Sequence, residues 1–571
     1  MKKIIPLLLI ITLLFSSCDL SFFKKKDEPA AKKEALTEIT GADFSASGIV
    51  DSAFSADTLA FIVFESDDNL SEDRPENDIG GYYYLYTVDS ENGEIKGKTR
   101  LDKIDILFPS GIEFLPDGNI ECFGFSDPES EKLISVTVST LSFEQVGSSK
   151  PYNSKLPEID SRNTATGFSF YEGEEISSFF CDDLPDGPLT AFCFREDTDK
   201  VIFTNGLDFS DINCNAGSKK IISRHYEYDE NGESESETFF IYDLENSLLV
   251  NSLTIGEKED STVNYFDFCD EYAFFIKETL DENEREGVSF EFFIWNYNID
   301  PVNEKIETEV LSSSELNEKI DSLRRDIKSA YGIDVYINSE DFDFYEEGED
   351  YYLSREAVPI DSFMLITRIK AFLDLLPEGF VRESYSGMEN YSFSGFDIFI
   401  GDSIQGDAGA YEMQFLDKLT IVFSTSSTDM RTVAHEFMHA FDTRIDDSLS
   451  DTSLFDEWNS FNPEGFEYSG LESEDSYENY EKYDPYFSSA YAMKTDAEDR
   501  AELFSMLFKA YIDKDYSPYW LDEKEPVRQK AQFLIKLIRD AFPSMKNVGT
   551  APWEELIQKE TDNTESSDER Q

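Results

Sequence analysis

In "RTVAHEFMHAFD", residues 431–442, two histidines stand four residues apart and a glutamate directly follows the first. The chain has three histidines in 571 residues, so two of the three share this one spacing. An α-helix advances about 100° per residue, which sets His435 and His439 one above the other with their imidazole nitrogens able to converge on a single ion. Glu436 then lies beside them, free to move protons without ligating. Residues of these types at this spacing suit a zinc site with an adjacent general base. His225, alone in "ISRHYEYDE", reads as an ordinary strand or turn histidine.

A tetrahedral catalytic zinc takes three protein ligands and leaves one position open, so two histidines demand a partner. No histidine follows His439, and the partner must therefore be a carboxylate. Past a turn-rich segment, "YAMKTDAEDRAELFSMLF" (491–508) offers Glu498 and Glu502 one helical turn apart, with Leu503, Phe504, Leu507 and Phe508 on the apolar face. With 120 acidic residues in the chain, residue type alone does not choose between the two.

Several elements must hold these groups. Met430, Val433, Ala434, Phe437, Met438 and Phe441 form an i, i+3, i+4, i+7 stripe that predicts a helix with one buried side and both histidines just off it. Ser426, Ser427, Thr428 and Asp429 are N-cap candidates, and the preceding "KLTIVFST" reads as a strand rich in β-branched residues. Upstream, "SSELNEKIDSLRRDIKSAYG" predicts a capped helix ending near Gly332, "IDVYIN" a strand, "PIDSFMLITRIKAFLDLLPEG" a helix and "GFDIFIG" a strand. Helices resume in "AEDRAELFSMLFKAYI" and "EPVRQKAQFLIKLIRDAFP". Residues 312–558 therefore form one α+β domain, followed by a polar tail over 559–571.

From 45 to 311 the pattern is different: short aromatic strands such as "TLAFIVFE", "GYYYLYTV", "ETFFIYDL" and "SFEFFIWNYN" alternate with turns such as "VDSENGEI" and "LPDGNI". At a spacing of about 40 to 45 residues per unit this all-β domain predicts about six blades of a β-propeller, with a pair of β-sandwiches as the alternative.

The two motifs together resemble those of the anthrax lethal factor catalytic domain and its relatives, including the Pro-Pro endopeptidases. That family carries an HExxH helix, often with an aspartate three residues later, matched here by Asp442. It also carries a tyrosine, six intervening residues and a Glu-x-x-Ala-Glu helix, matched by Tyr491, Glu498, Ala501 and Glu502. The resemblance covers a few dozen residues in motif and residues 313–545 in the order of elements. It implies a zincin fold with one Zn2+ per chain held by His435, His439 and Glu498, Glu436 as general base and Tyr491 facing the reacting carbonyl. Asp442 and Glu502 are then candidates for orienting a ligating histidine. A protein or peptide substrate follows, with its sequence preference set by loops that the motifs do not fix.

The start, "MKKIIPLLLIITLLFSSCDL", is a basic, then apolar, then small-residue leader, too short and wrongly flanked for a spanning helix. "LFSSC" resembles a bacterial lipobox, which makes residues 1–17 a signal peptide, Cys18 the lipidated residue and 18–44 a polar tether. The expected location is the extracytoplasmic bacterial envelope, with the lipid as the only membrane contact. Five further cysteines give an odd count with no CxxC spacing, so neither a complete disulfide framework nor a thiolate zinc site is expected. A net charge of −71 excludes nucleic acid and an anionic membrane surface as partners, and reads as a solvated acidic surface rather than a trap for basic peptides. The competing reading is a surface-binding lipoprotein that acts through its β domain and keeps a non-catalytic zincin scaffold.

Overall fold

The computed structural model describes residues 35–557, apart from 40–45, 56, 67–80, 127–132, 152–170, 173–175, 182–183, 186, 195–199, 208–210, 216–217, 229–233, 256–260, 281–287, 339–356, 405–408, 416, 426–428, 450–452, 471–479 and 514–523. The leader, Cys18, most of the tether and the tail lie outside the described residues. The chain divides into two compact units, Met1–Lys155 with Asp211–Lys305, and Leu156–Ser210 with Ile306–Gln571.

The first unit is built from antiparallel sheets. One holds Ala46–Ser55, Thr58–Ser66, Gly81–Asp89 and Ile95–Arg100, and a second holds Phe108–Phe114, Ile120–Phe125, Ile134–Val138 and Lys150–Pro151. A third runs from Asp211–Asn215 to Leu248–Ile255 and ends on Glu304–Lys305. In the fourth, Leu36–Glu38 adds onto Val288–Asn296, so strands from opposite ends of the unit complete one sheet. Aromatic residues join neighbouring sheets: Phe61 stacks on Phe274 and Phe292 at centroid distances of 5.2 and 5.5 Å. Among the described residues four such sheets belong to this unit and a fifth to the other, against the six expected. The first sheet runs from residue 46 to 100, beyond a spacing of about 40 to 45, with strands of ten, nine, nine and six residues.

The fifth sheet lies with the helical part in the second unit. Thr308–Ser312 pairs with Lys200–Asn205, and its apolar face (Leu189, Val201, Phe203, Leu311) packs on Leu316, Ile320, Ile360 and Phe363 from the helical part. Leu311 is needed inside this core, so the strand cannot be separated from the helix that follows it.

That helix, α1 (Ser313–Tyr331), starts from a capping box in which Ser312 and Glu315 satisfy each other's backbone N–H, and ends on Gly332 at φ 82°, a left-handed stop suited to glycine. Then come β1 (Ile333–Ile337), α2 (Pro359–Leu375), β2 (Gly395–Gly401), β3 (Ala410–Phe415), β4 (Lys418–Ser424), α3 (Met430–Ser448), α4 (Asp496–Ile512) and α5 (Glu525–Ala541). The sheet order is β1-β2-β4-β3, with β3 antiparallel at the edge and the others parallel. β2 and β4 are buried on both faces, hence the near-continuous apolar runs "FDIFI" and "LTIVF". Their Ile398, Ile400, Ile421 and Phe423 share one core with Phe372 of α2, Phe437 and Phe441 of α3 and Phe504 and Phe508 of α4. No helix among the described residues is long and apolar enough to cross a membrane.

Candidate metal centre

Helix α3 begins at Asp429, whose carboxylate accepts the Thr432 N–H at 2.6 Å; the other three cap candidates lie outside the described residues. Its apolar stripe is buried as the periodicity requires, and so are His435 and Glu436. Helix α4 begins at Thr495, which accepts the Glu498 N–H at 3.1 Å. The two helices pack side by side, so the first turn of α4 lies against the histidine face of α3.

Three donor atoms meet there. His435 Nε2 lies 2.9 Å from Glu498 Oε2 and 3.2 Å from His439 Nε2, and His439 Nε2 lies 3.4 Å from the same carboxylate oxygen. All three residues could offer an atom to one ion. Ligands held about 2.0 to 2.1 Å from a tetrahedral zinc stand about 3.3 Å apart, which the three separations bracket. Two imidazoles and one carboxylate are also a zinc-type donor set, so the residues fit the metal.

Without metal these groups hold one another's protons. Burial pulls the His435 imidazole down, but hydrogen bonds to Glu498 and Glu502 outweigh it and push the pKa up to about 10. Burial raises the Glu498 carboxyl, yet donation from His435 and His439 holds it down at about 2. Glu436 is pushed above the usual carboxylate range by burial and by Glu498, against the opposing pull of both histidines. Its carboxylate accepts the backbone N–H of Glu412 on β3.

Glu502 sits a turn deeper on α4. One oxygen takes His435 Nδ1 at 3.1 Å, which fixes the ring and leaves Nε2 toward the site; the other accepts Arg431 at 2.5 Å and Ser489 at 2.6 Å. Asp442 does not reach a histidine. Both its oxygens pair with Arg500, because a guanidinium buried beside it on α4 is the stronger partner. Tyr491 opens the short turn Tyr491–Met493 just before α4, 36% exposed, with its ring centroid 6.1 Å from that of His435.

Further residues shape the centre that neither motif singles out. Tyr411, Met413 and Phe415 pack on one face of β3, so Glu412 points to the other, toward α3, where burial and the Glu436 and Asp442 charges push its carboxyl up to about 7 despite His439. Arg431, one turn before His435, was legible from spacing. Ser489 carried no signal. The Lys530–Asp499 pair, 2.6 Å apart and fully buried, joins α5 to α4, and Trp458 and Tyr468 donate to the same carboxylate. Elsewhere Cys122, Cys193 and Cys269 are free thiols, and His225 contacts Ser223 and the Phe240 ring within its strand pair.

No family model matches the chain, and no curated protein sequence matches it. Among solved structures the chain is similar to a Bacteroides caccae protein whose description as a zinc-binding metallo-peptidase is itself provisional, at 11% identity over 45% of this chain and 96% of that one, with a TM-score of 0.29. It is also similar to the β-propeller domain of the Trilobed protease from Pyrococcus furiosus, at 12% identity over 46% and 86% of the two chains, with a TM-score of 0.20. Neither likeness is strong enough to define a function.

Proposed function

We propose that this chain is a zinc-dependent endopeptidase of the zincin type, similar in its motifs to the lethal factor and Pro-Pro endopeptidase group. The convergence of His435, His439 and Glu498 beside a buried Glu436 is the observation that carries the reading. When bound, the metal supplies Lewis acidity toward a carbonyl oxygen and lowers the pKa of a water at its open position.

The chain's own residues supply the rest. Glu436, a carboxyl already raised toward neutrality, takes the proton of the attacking water and gives it to the leaving amine. The Tyr491 hydroxyl donates to the developing oxyanion. Glu502 holds the His435 ring through Nδ1. Among the described residues β3 pairs with β4 alone, so an extended peptide can add as a further strand beside Glu412 and run past Glu436. The N-terminal sheets are a propeller-like module that presents or selects substrate. Cys18 anchors the protein outside the cytoplasm, a part of the proposal that rests on sequence alone.

Native mass spectrometry of the full chain, paired with hydrolysis of an unstructured protein, tests the enzyme. One chelator-labile zinc per chain and metal-restored cleavage are expected; no zinc uptake, or cleavage indifferent to chelation, overturns it. For the anchor, Cys18→Ser should abolish lipid labelling and release the protein from membranes, and labelling that persists in the variant rules the lipobox out.

A further inference from the structure

Ser489 belongs to no motif, yet its hydroxyl is used twice. It donates to Glu502 Oε2 at 2.6 Å and accepts the backbone N–H of Ala492 at 3.1 Å. The first bond reaches the carboxylate whose other oxygen takes His435 Nδ1. The second reaches an N–H inside the turn Tyr491–Met493. A short chain of hydrogen bonds thus runs from that turn to a metal-binding imidazole.

The turn is held from two sides. Ala492 and Met493 are buried against Phe487, and the backbone N–H groups of Ser469 and Gly470 donate to the Met493 and Lys494 carbonyls, whereas the Ser489 hydroxyl holds the side that faces Glu502. Tyr491 is 36% exposed at the start of this turn, and its ring follows the turn's backbone. Glu502, in contrast, is buried and held by Arg431 and His435, which makes it a fixed point. A hydroxyl suits the place because one atom must donate to a carboxylate and accept from an amide; alanine does neither, and threonine does both.

We propose that Ser489 is a positioning residue that locks the Tyr491 turn to the carboxylate behind the metal-binding histidine. The inference rests on the reading of Tyr491 as the oxyanion donor of a peptidase. Ser489 touches no reacting atom and acts through Tyr491.

Two measurements on the zinc-loaded full chain test it. In peptide hydrolysis, Ser489→Ala should lower kcat roughly 10- to 100-fold with zinc content and KM unchanged, and Ser489→Thr should recover most of the loss. In a Tyr491→Phe background the same alanine should cost less than about twofold, since the group it positions is gone. An equal loss in both backgrounds, or loss of zinc in Ser489→Ala, overturns the proposal. The second measurement needs no turnover. With 3-fluorotyrosine incorporated, the 19F line that vanishes in Tyr491→Phe should shift in Ser489→Ala and stay in place in Ser505→Ala, a buried serine on α4. A line unmoved by Ser489→Ala overturns the positioning role even where no peptide is cleaved, whereas a shifted line without cleavage overturns the peptidase and keeps the tie.

Discussion

Asp442 on α3 and Arg500 on α4 meet through a two-pronged ion pair, Nε to Oδ1 at 2.8 Å and Nη2 to Oδ2 at 2.7 Å, with the guanidinium almost fully buried. The helix that carries both histidines is thereby clamped to the helix that carries Glu498, two residues before Arg500. Asp442 thus joins the two helices through Arg500.

Removing one half of this clamp strands the other. Arg500→Met should destabilise the protein by about 3 to 5 kcal/mol, because a largely buried carboxylate loses its charge partner. Asp442→Leu combined with Arg500→Met should cost less than Arg500→Met alone. Denaturant unfolding of the three proteins checks the order.

The acidic residues of α4 should separate by role. Glu498→Ala should lose zinc outright, whereas Glu502→Ala should weaken zinc roughly 10- to 100-fold by freeing the His435 ring. Zinc titration decides between them: a Glu502→Ala chain without metal beside a Glu498→Ala chain that keeps it would exchange the two assignments.

Tyr491→Phe should retain zinc and lose roughly 10²- to 10³-fold in kcat, the usual cost of one oxyanion donor. A parallel rise in KM at constant kcat would instead make Tyr491 a substrate-binding group.

Much of this centre is written in local spacing. His435, Glu436 and His439 follow from one helical period, and Asp429 marks where their helix begins. Asp442–Arg500 and Lys530–Asp499 are not legible that way, since each joins residues 58 and 31 positions apart whose pairing depends on how helices pack. In so acidic a chain, proximity of Asp442 to the motif in sequence says little about which cation it meets. The β unit shows the same divide: strands were readable from alternation, but the pairing of Leu36–Glu38 with Val288–Asn296 and of Thr308–Ser312 with Lys200–Asn205 joins distant segments that no period connects.

The titration of the ligands gives a pH signature in the metal-free protein. Glu498 drops from its ordinary 4.5 to about 2, so its contribution is present above 4.5 and lost as pH falls toward 2. His435 rises from 6.5 to about 10, so its contribution is complete below 6.5 and lost as pH climbs toward 10. Zinc needs deprotonated ligands and binds better over that upper window. The gap between the melting midpoints of zinc-loaded and chelated protein should therefore widen from pH 6.5 to 10; a constant gap contradicts the assignment.

The central claim, that Glu436 drives hydrolysis at a zinc site, is tested most directly by one comparison: peptide cleavage by wild type and Glu436→Gln at equal, measured zinc content. Wild type should cleave, and the variant should hold one zinc per chain while losing at least about 10²- to 10⁴-fold in kcat, the contribution of a positioned general base. Equal rates in the two zinc-loaded proteins, or loss of the metal from Glu436→Gln, would contradict it.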